Sequence, residues 1–148
     1  MIPQYSYDRT DSPIAMVAED DDGARMRIAG YLREQGYRVL EARTSVEALL
    51  LAIEFPYRID MLFTSLDHRK YCNGAELAGC LRVSRPEMAV FYLCGNGECS
   101  EDVTREIGMG QAMLLRKPVS DPLMDEAIGV LEEIREWAGS DLVTIERI

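Results

Sequence analysis

The chain has one histidine, His68, and four cysteines, Cys72, Cys80, Cys94 and Cys99. No two cysteines form a CxxC pair, so His68 and these thiols cannot complete a common zinc set. Reduced thiols are expected, with Cys80 and Cys94 as small buried hydrophobes. No apolar run approaches the roughly 20 residues that span a bilayer. The opening "MIPQYSYDRT" lacks the charged-then-apolar pattern of a secretion signal. A cytoplasmic protein is expected. Positive charge is scarce: 16 Lys and Arg stand against 26 Asp and Glu, for a net charge of -10. Nucleic acid and anionic membranes are poor partners for such a surface, because phosphate affinity comes largely from Lys and Arg.

What is present describes one globular domain. The 148 residues are 47% apolar and 28% charged, enough to bury a core without disulfide or metal. Residues 1–13 read as a flexible leader, 14–137 as the domain and 138–148 as a C-terminal tail, frayed or added to the sheet as a strand. Ile14 to Ala18 is a buried strand that ends in Glu19-Asp20-Asp21-Asp22. Ala24, Ile28 and Leu32, spaced by four, predict a helix capped by Asp21 or Asp22 and ended by Gly36. Tyr37 to Ala42 is a second strand. Thr44 with Glu47 has the capping-box pattern and opens a helix carrying Leu49, Leu50 and Ile53. Met61 to Thr64 is the third strand, and Leu77 and Leu81 mark a helix that stops before Pro86. Ala89 to Leu93 and Ala112 to Leu115 are the fourth and fifth strands, around a short helix at 100–107. A last helix over 120–135 has Ser120 as cap, Pro122 in its first turn, and Leu123, Ala127, Val130, Leu131 and Ile134 inward. Alternating strands and helices imply an α/β, doubly wound, five-stranded parallel sheet covered on both faces by right-handed crossovers.

Function in such sheets sits at the carboxyl ends of the strands. This chain places Glu19 and Asp20 after the first strand and Ser65 after the third, with Asp67 beyond it. Cys94 follows the fourth and Lys117, then Pro118, the fifth. Adjacent carboxylates suit a hard divalent cation, and a lysine opposite suits a phosphoryl oxygen or a balancing charge.

In order and spacing, "IAMVAEDD", "IDMLFTS", Asn73-Gly74, "VFYLCG" and "LLRKP" make residues 14 to about 135 resemble the receiver domain of two-component response regulators. The resemblance implies a CheY-like, flavodoxin-like (βα)5 fold with strand order 2-1-3-4-5, and marks Pro118 as a candidate cis-proline. It also exposes departures. Receivers carry a phosphoaccepting aspartate where this chain has Ser65. They have Thr or Ser where it has Cys94, and usually an aromatic ring where it has Leu114. The acid pair and Lys117 match. The resemblance therefore implies a degenerate receiver without its phosphoacceptor.

A serine is neutral at pH 7 and needs a general base before it attacks. An aspartate, which ordinarily titrates at about 3.9, is already an anion. With one carboxylate fewer, the rim is expected to hold no cofactor, or Mg2+ only weakly. Asp67 is a possible extra ligand or a solvated side chain. Lys117 reads equally as a counter-ion for Glu19 and Asp20, Cys94 as a core-edge residue, His68 as a solvated loop residue, and the acid run as a helix N-terminus.

The expected role is a non-enzymatic, receiver-like signalling module in a two-component system or phosphorelay, acting by protein–protein interaction without aspartyl phosphorylation. Its partner would be a histidine kinase, an effector or a second copy. Contact would run through the face of the fourth helix (100–107), fifth strand and fifth helix, in a monomer or homodimer. No DNA-binding segment follows, so output through protein contact is expected. The alternative is residual phosphotransfer to Ser65 or Asp67 with Mg2+. Flavin or nucleotide binding is disfavoured, since Glu-Asp-Asp-Asp stands where those proteins place a phosphate-cradling loop.

Overall fold

The structure, a computed structural model, describes residues 12–66, 73–95, 112–136 and 146–147. The predicted helix at 100–107, the leader up to residue 11, Asp67, His68, Cys72 and Cys99 lie outside them. The elements are β1 (Ile14–Ala18), α1 (Asp22–Glu34), β2 (Arg38–Ala42), α2 (Ser45–Glu54), β3 (Met61–Ser65), α3 (Gly74–Ser84), β4 (Ala89–Cys94), β5 (Ala112–Arg116), α4 (Asp121–Glu136) and β6 (Glu146–Arg147).

Capping chemistry sets the helix starts. Asp21 accepts from Ala24 N at 2.7 Å and Thr44 Oγ1 from Glu47 N at 3.0 Å. Asn73 and Glu76 form a full capping box, and Ser120 Oγ accepts from Leu123 N at 3.3 Å. Past the end of α1, Gly36 takes φ 93°, a left-handed conformation that an L side chain resists.

The five main strands pair in parallel, in the order β2-β1-β3-β4-β5. β6 adds two parallel residues beside β5, with Leu114 opposite Glu146 and Leu115 opposite Arg147, so part of the tail extends the sheet. Alternation along the strands splits the core in two. Met16, Leu62, Val90, Tyr92 and Leu114 face α2 and α3, while Val17, Phe63, Phe91 and Leu115 face α1 and α4. Phe63 and Phe91 stack across β3 and β4 with centroids 4.4 Å apart.

Three sequence expectations change here. α2 turns Ser45, Ala48 and Ala52 to the sheet and leaves Leu50 and Ile53 exposed. Small residues let this helix lie close to the strands, Leu49 and Leu51 pack half-buried at its edges, and Leu50 and Ile53 point away. Cys80 is exposed on α3, whereas Cys94 is buried, and both are free thiols. Among the described side chains of α4, Met124, Ala127, Ile128 and Leu131 are buried and Leu123 and Val130 only partly covered, while that of Ile134 lies outside them.

Two polar ties fasten helices to their surroundings. Buried Arg85, just past α3, places Nη2 3.1, 3.0 and 3.2 Å from the carbonyl oxygens of Ala52, Phe55 and Tyr57. It satisfies the orphaned carbonyls at the end of α2. Arg85→Ala would strand them, and a loss of about 3 kcal/mol in urea unfolding is expected, with Arg85→Lys restoring only part because a point charge cannot replace the guanidinium fork.

The Tyr31 hydroxyl of α1 donates to the Asp125 carboxylate of α4. Burial first, then this hydrogen bond, pushes the Tyr31 hydroxyl well above its ordinary value. A raised folded pKa means the stabilisation is fully present below the unfolded tyrosine value of about 10 and is lost as pH rises through the folded value. Tyr31→Phe should cost about 1 kcal/mol at pH 7 and flatten the stability decline above about pH 10 in denaturant titrations.

Candidate functional site

The carboxyl ends of β1, β3 and β5 converge on one polar cluster. Strand alternation directs Glu19, Ser65 and Lys117 to the face covered by α1 and α4, in line with Val17, Phe63 and Leu115. Glu19 and Ser65 are both 0% exposed. Lys117 Nζ forms an ion pair with Glu19 Oε1 and donates to Ser65 Oγ at 3.2 Å. The other carboxylate oxygen, Glu19 Oε2, accepts from Asp20 N at 3.1 Å. Asp20 itself is exposed, and the Lys117–Pro118 peptide is cis.

Arg25 supports this cluster from behind. It is buried, and its Nη1 donates to the Glu19 carbonyl at 3.1 Å. Its Nη2 bonds Asp22 Oδ1 at 2.6 Å, and its Nε lies 3.4 Å from Glu41 Oε1. The Arg25 hydrogen bond holds the Asp22 carboxyl below the usual carboxylate range, and Asp22 in turn raises Arg25. The sequence reading missed Arg25. Its one available signal was an acid three residues earlier on the same helix face, and that spacing is common on solvated surfaces.

Gly74 explains the Asn73-Gly74 pair. A Cβ there would lie 2.5 Å from the Ser65 carbonyl oxygen and 3.1 Å from Thr64 Oγ1. Only glycine lets α3 begin against the end of β3. Cys94 and Leu114 belong instead to the core on the α2 and α3 side. The Cys94 carbonyl nevertheless accepts from Lys117 N at 2.8 Å, which ties the end of β4 to the lysine.

These residues have a limited chemical repertoire. Ser65 is buried and accepts a hydrogen bond from Lys117, which is itself ion-paired with Glu19. Both oxygens of Glu19 are engaged within the protein. Among the described residues, no group of three His, Cys, Asp or Glu side chains is arranged to hold a metal ion. Lys117 also lines a groove of about 360 Å³ with Asp21, Gly23, Arg27, Gly95 and Val119.

No known family's sequence profile matches the chain, and no curated protein sequence does. Solved structures do. The chain is similar to a response regulator receiver protein from Sinorhizobium medicae, with TM-score 0.73 and 18% identity over 85% of this chain and 98% of that one. It is similar to a response regulator receiver domain protein from Clostridium thermocellum, with TM-score 0.71 and 25% identity over 85% and 98%. A CheY-like receiver domain protein from Methanospirillum hungatei gives TM-score 0.73 and 20% identity over 87% and 100%. The chain has the CheY-like receiver fold. In that fold Ser65 stands at the end of the third strand, where the sequence resemblance places an aspartate. No helix among the described residues is long and apolar enough to cross a membrane.

The buried ion pair yields a direct test. Lys117→Met leaves Glu19 buried without a counter-charge and should cost about 3 kcal/mol. Adding Glu19→Gln should recover at least about 1 kcal/mol, so a double-mutant cycle by chemical denaturation reads the coupling.

Proposed function

We propose that this chain is a receiver-fold signalling module that works through protein contact, without phosphorylation of an aspartate. The observation that carries this reading is Ser65. It is fully buried at the end of β3 and bonded by Lys117, which Glu19 already neutralises. An acceptor must present an anion or a base-activated hydroxyl to phosphorus, and Ser65 is a neutral hydroxyl closed to solvent. Mg2+ binding would be weak or absent, because Ser65 is neutral and both Glu19 oxygens are engaged.

The partner on this reading is a histidine kinase, an effector or a second copy. It would dock on the face of residues 100–107, β5 and α4, of which 100–107 lie outside the described residues and β5 has its outer edge paired with β6, so α4 is the part left to meet a partner. The net charge of -10 favours protein over nucleic acid. A cytoplasmic location and a non-enzymatic role complete the proposal.

Titration with Mg2+ and beryllofluoride, followed by fluorescence of the single tryptophan and by amide NMR shifts, should give no saturable change. Labelled acetyl phosphate should leave neither an acid-labile, hydroxylamine-sensitive acyl phosphate nor an acid-stable phosphoserine. A micromolar saturable response, or label on Ser65 or Asp67, would replace this reading with residual phosphotransfer. Ser65→Asp should raise Mg2+ affinity by supplying the missing carboxylate.

A further inference from the structure

A second surface lies away from the rim. On α2, Val46 is 41% exposed, Leu50 57% and Ile53 78%, while Val83 on α3 is 86% exposed. Val46, Leu50 and Ile53 follow the i, i+4, i+7 spacing of one helical stripe. α2 and α3 cover the same face of the sheet, and Arg85 at the end of α3 bonds the carbonyls that close α2. Ile53 and Val83 therefore stand at the same end of neighbouring helices. Exposing a Leu and an Ile forgoes roughly 2 kcal/mol each relative to burial, and the helix does so although Ser45, Ala48 and Ala52 on its inner face are small and only Leu49 and Leu51 add half-buried bulk to the core.

Charge narrows the occupant. α2 carries Glu47 and Glu54, both exposed, and no base. α3 adds exposed Glu76 against the half-buried Arg82. A second copy would set these acids against themselves in a chain of net charge -10. We propose that this stripe docks an amphipathic helix of another protein, with aliphatic side chains at helical spacing and Lys or Arg on its flanks. This is the helix-in-groove mode of recognition, with the acids on the rim steering approach. The site is independent of Ser65 and of what stands at the strand ends.

The test uses the full chain and two 18-residue fluorescein-tagged peptides, one of Leu and Lys in helical periodicity and one of Leu and Glu. The Leu/Lys peptide should bind saturably, shifting amide resonances of α2 and α3 and leaving α1 and α4 unmoved. Leu50→Ser with Ile53→Ser should weaken binding at least tenfold without lowering the melting temperature, since both positions are exposed. Glu47→Gln with Glu54→Gln should weaken binding and reduce its salt dependence. Equal binding by the Ser variant, equal binding of the Leu/Glu peptide, or shifts spread over the whole surface would overturn the proposal. Self-association by sedimentation that the Ser variant abolishes would assign the stripe to a second copy. Tighter peptide binding after removal of residues 1–11 or 137–148 would assign it to this chain's own ends. Either result would also overturn it.

Discussion

A carboxylate with no exposed surface must be matched by a cation, and at Glu19 that requirement organises one end of the molecule. Desolvating a lone carboxylate costs several kcal/mol, so Glu19 is stable at the end of β1 only because Lys117 reaches it from the end of β5. The same ammonium donates to Ser65 on β3. One cation thus links three strand ends, two of which are not neighbours of β5 in the sheet. Arg25 holds the Glu19 carbonyl from α1, and Gly74 lets α3 start against Ser65. The rim is filled by its own side chains, with the Ser65 hydroxyl at the centre accepting from Lys117.

This arrangement bears on how a receiver fold without an acidic acceptor keeps its shape. A serine hydroxyl brings no charge, so the balance between Glu19 and Lys117 closes without an added ion. Cys94 and Leu114 lie on the far side of the sheet, within the core under α2 and α3. Cys94 still touches the rim through its carbonyl, which accepts from Lys117 N at 2.8 Å. The exposed stripe of α2 stands on that same far side, so the two surfaces of interest are separated by the sheet and are free to act independently.

Much of the fold was legible from local chemistry. Apolar runs of four to six residues marked the strands, and Asp21, Thr44 and Ser120 marked helix starts through hydrogen bonds that span only three residues, whereas the Asn73 cap went unread. The helix faces were less legible. Leu50 and Ile53 read as apolar helix positions, yet the sheet accepts Ala48 and Ala52 instead, because close approach of α2 favours small side chains. Cys80 read as buried for its residue type alone, and its helical position turns it outward. Arg85 and the Tyr31–Asp125 pair left no sequence signal, since their partners lie 28 to 33 and 94 residues away.

The sequence by itself determined the strands, the caps and the order in which acids, serine and lysine arrive at the strand ends, because each depends on neighbours within one helical turn or one strand. It also determined that no carboxylate stands at Ser65. Only the tertiary structure decided that Lys117 serves both Glu19 and Ser65, that Ser65 is closed to solvent, that Arg25 backs the acid, and that α2 turns Leu50 and Ile53 outward while Leu49 and Leu51 pack on the core. Those outcomes depend on burial and on partners far apart in the chain, and burial is a property of the assembled layers.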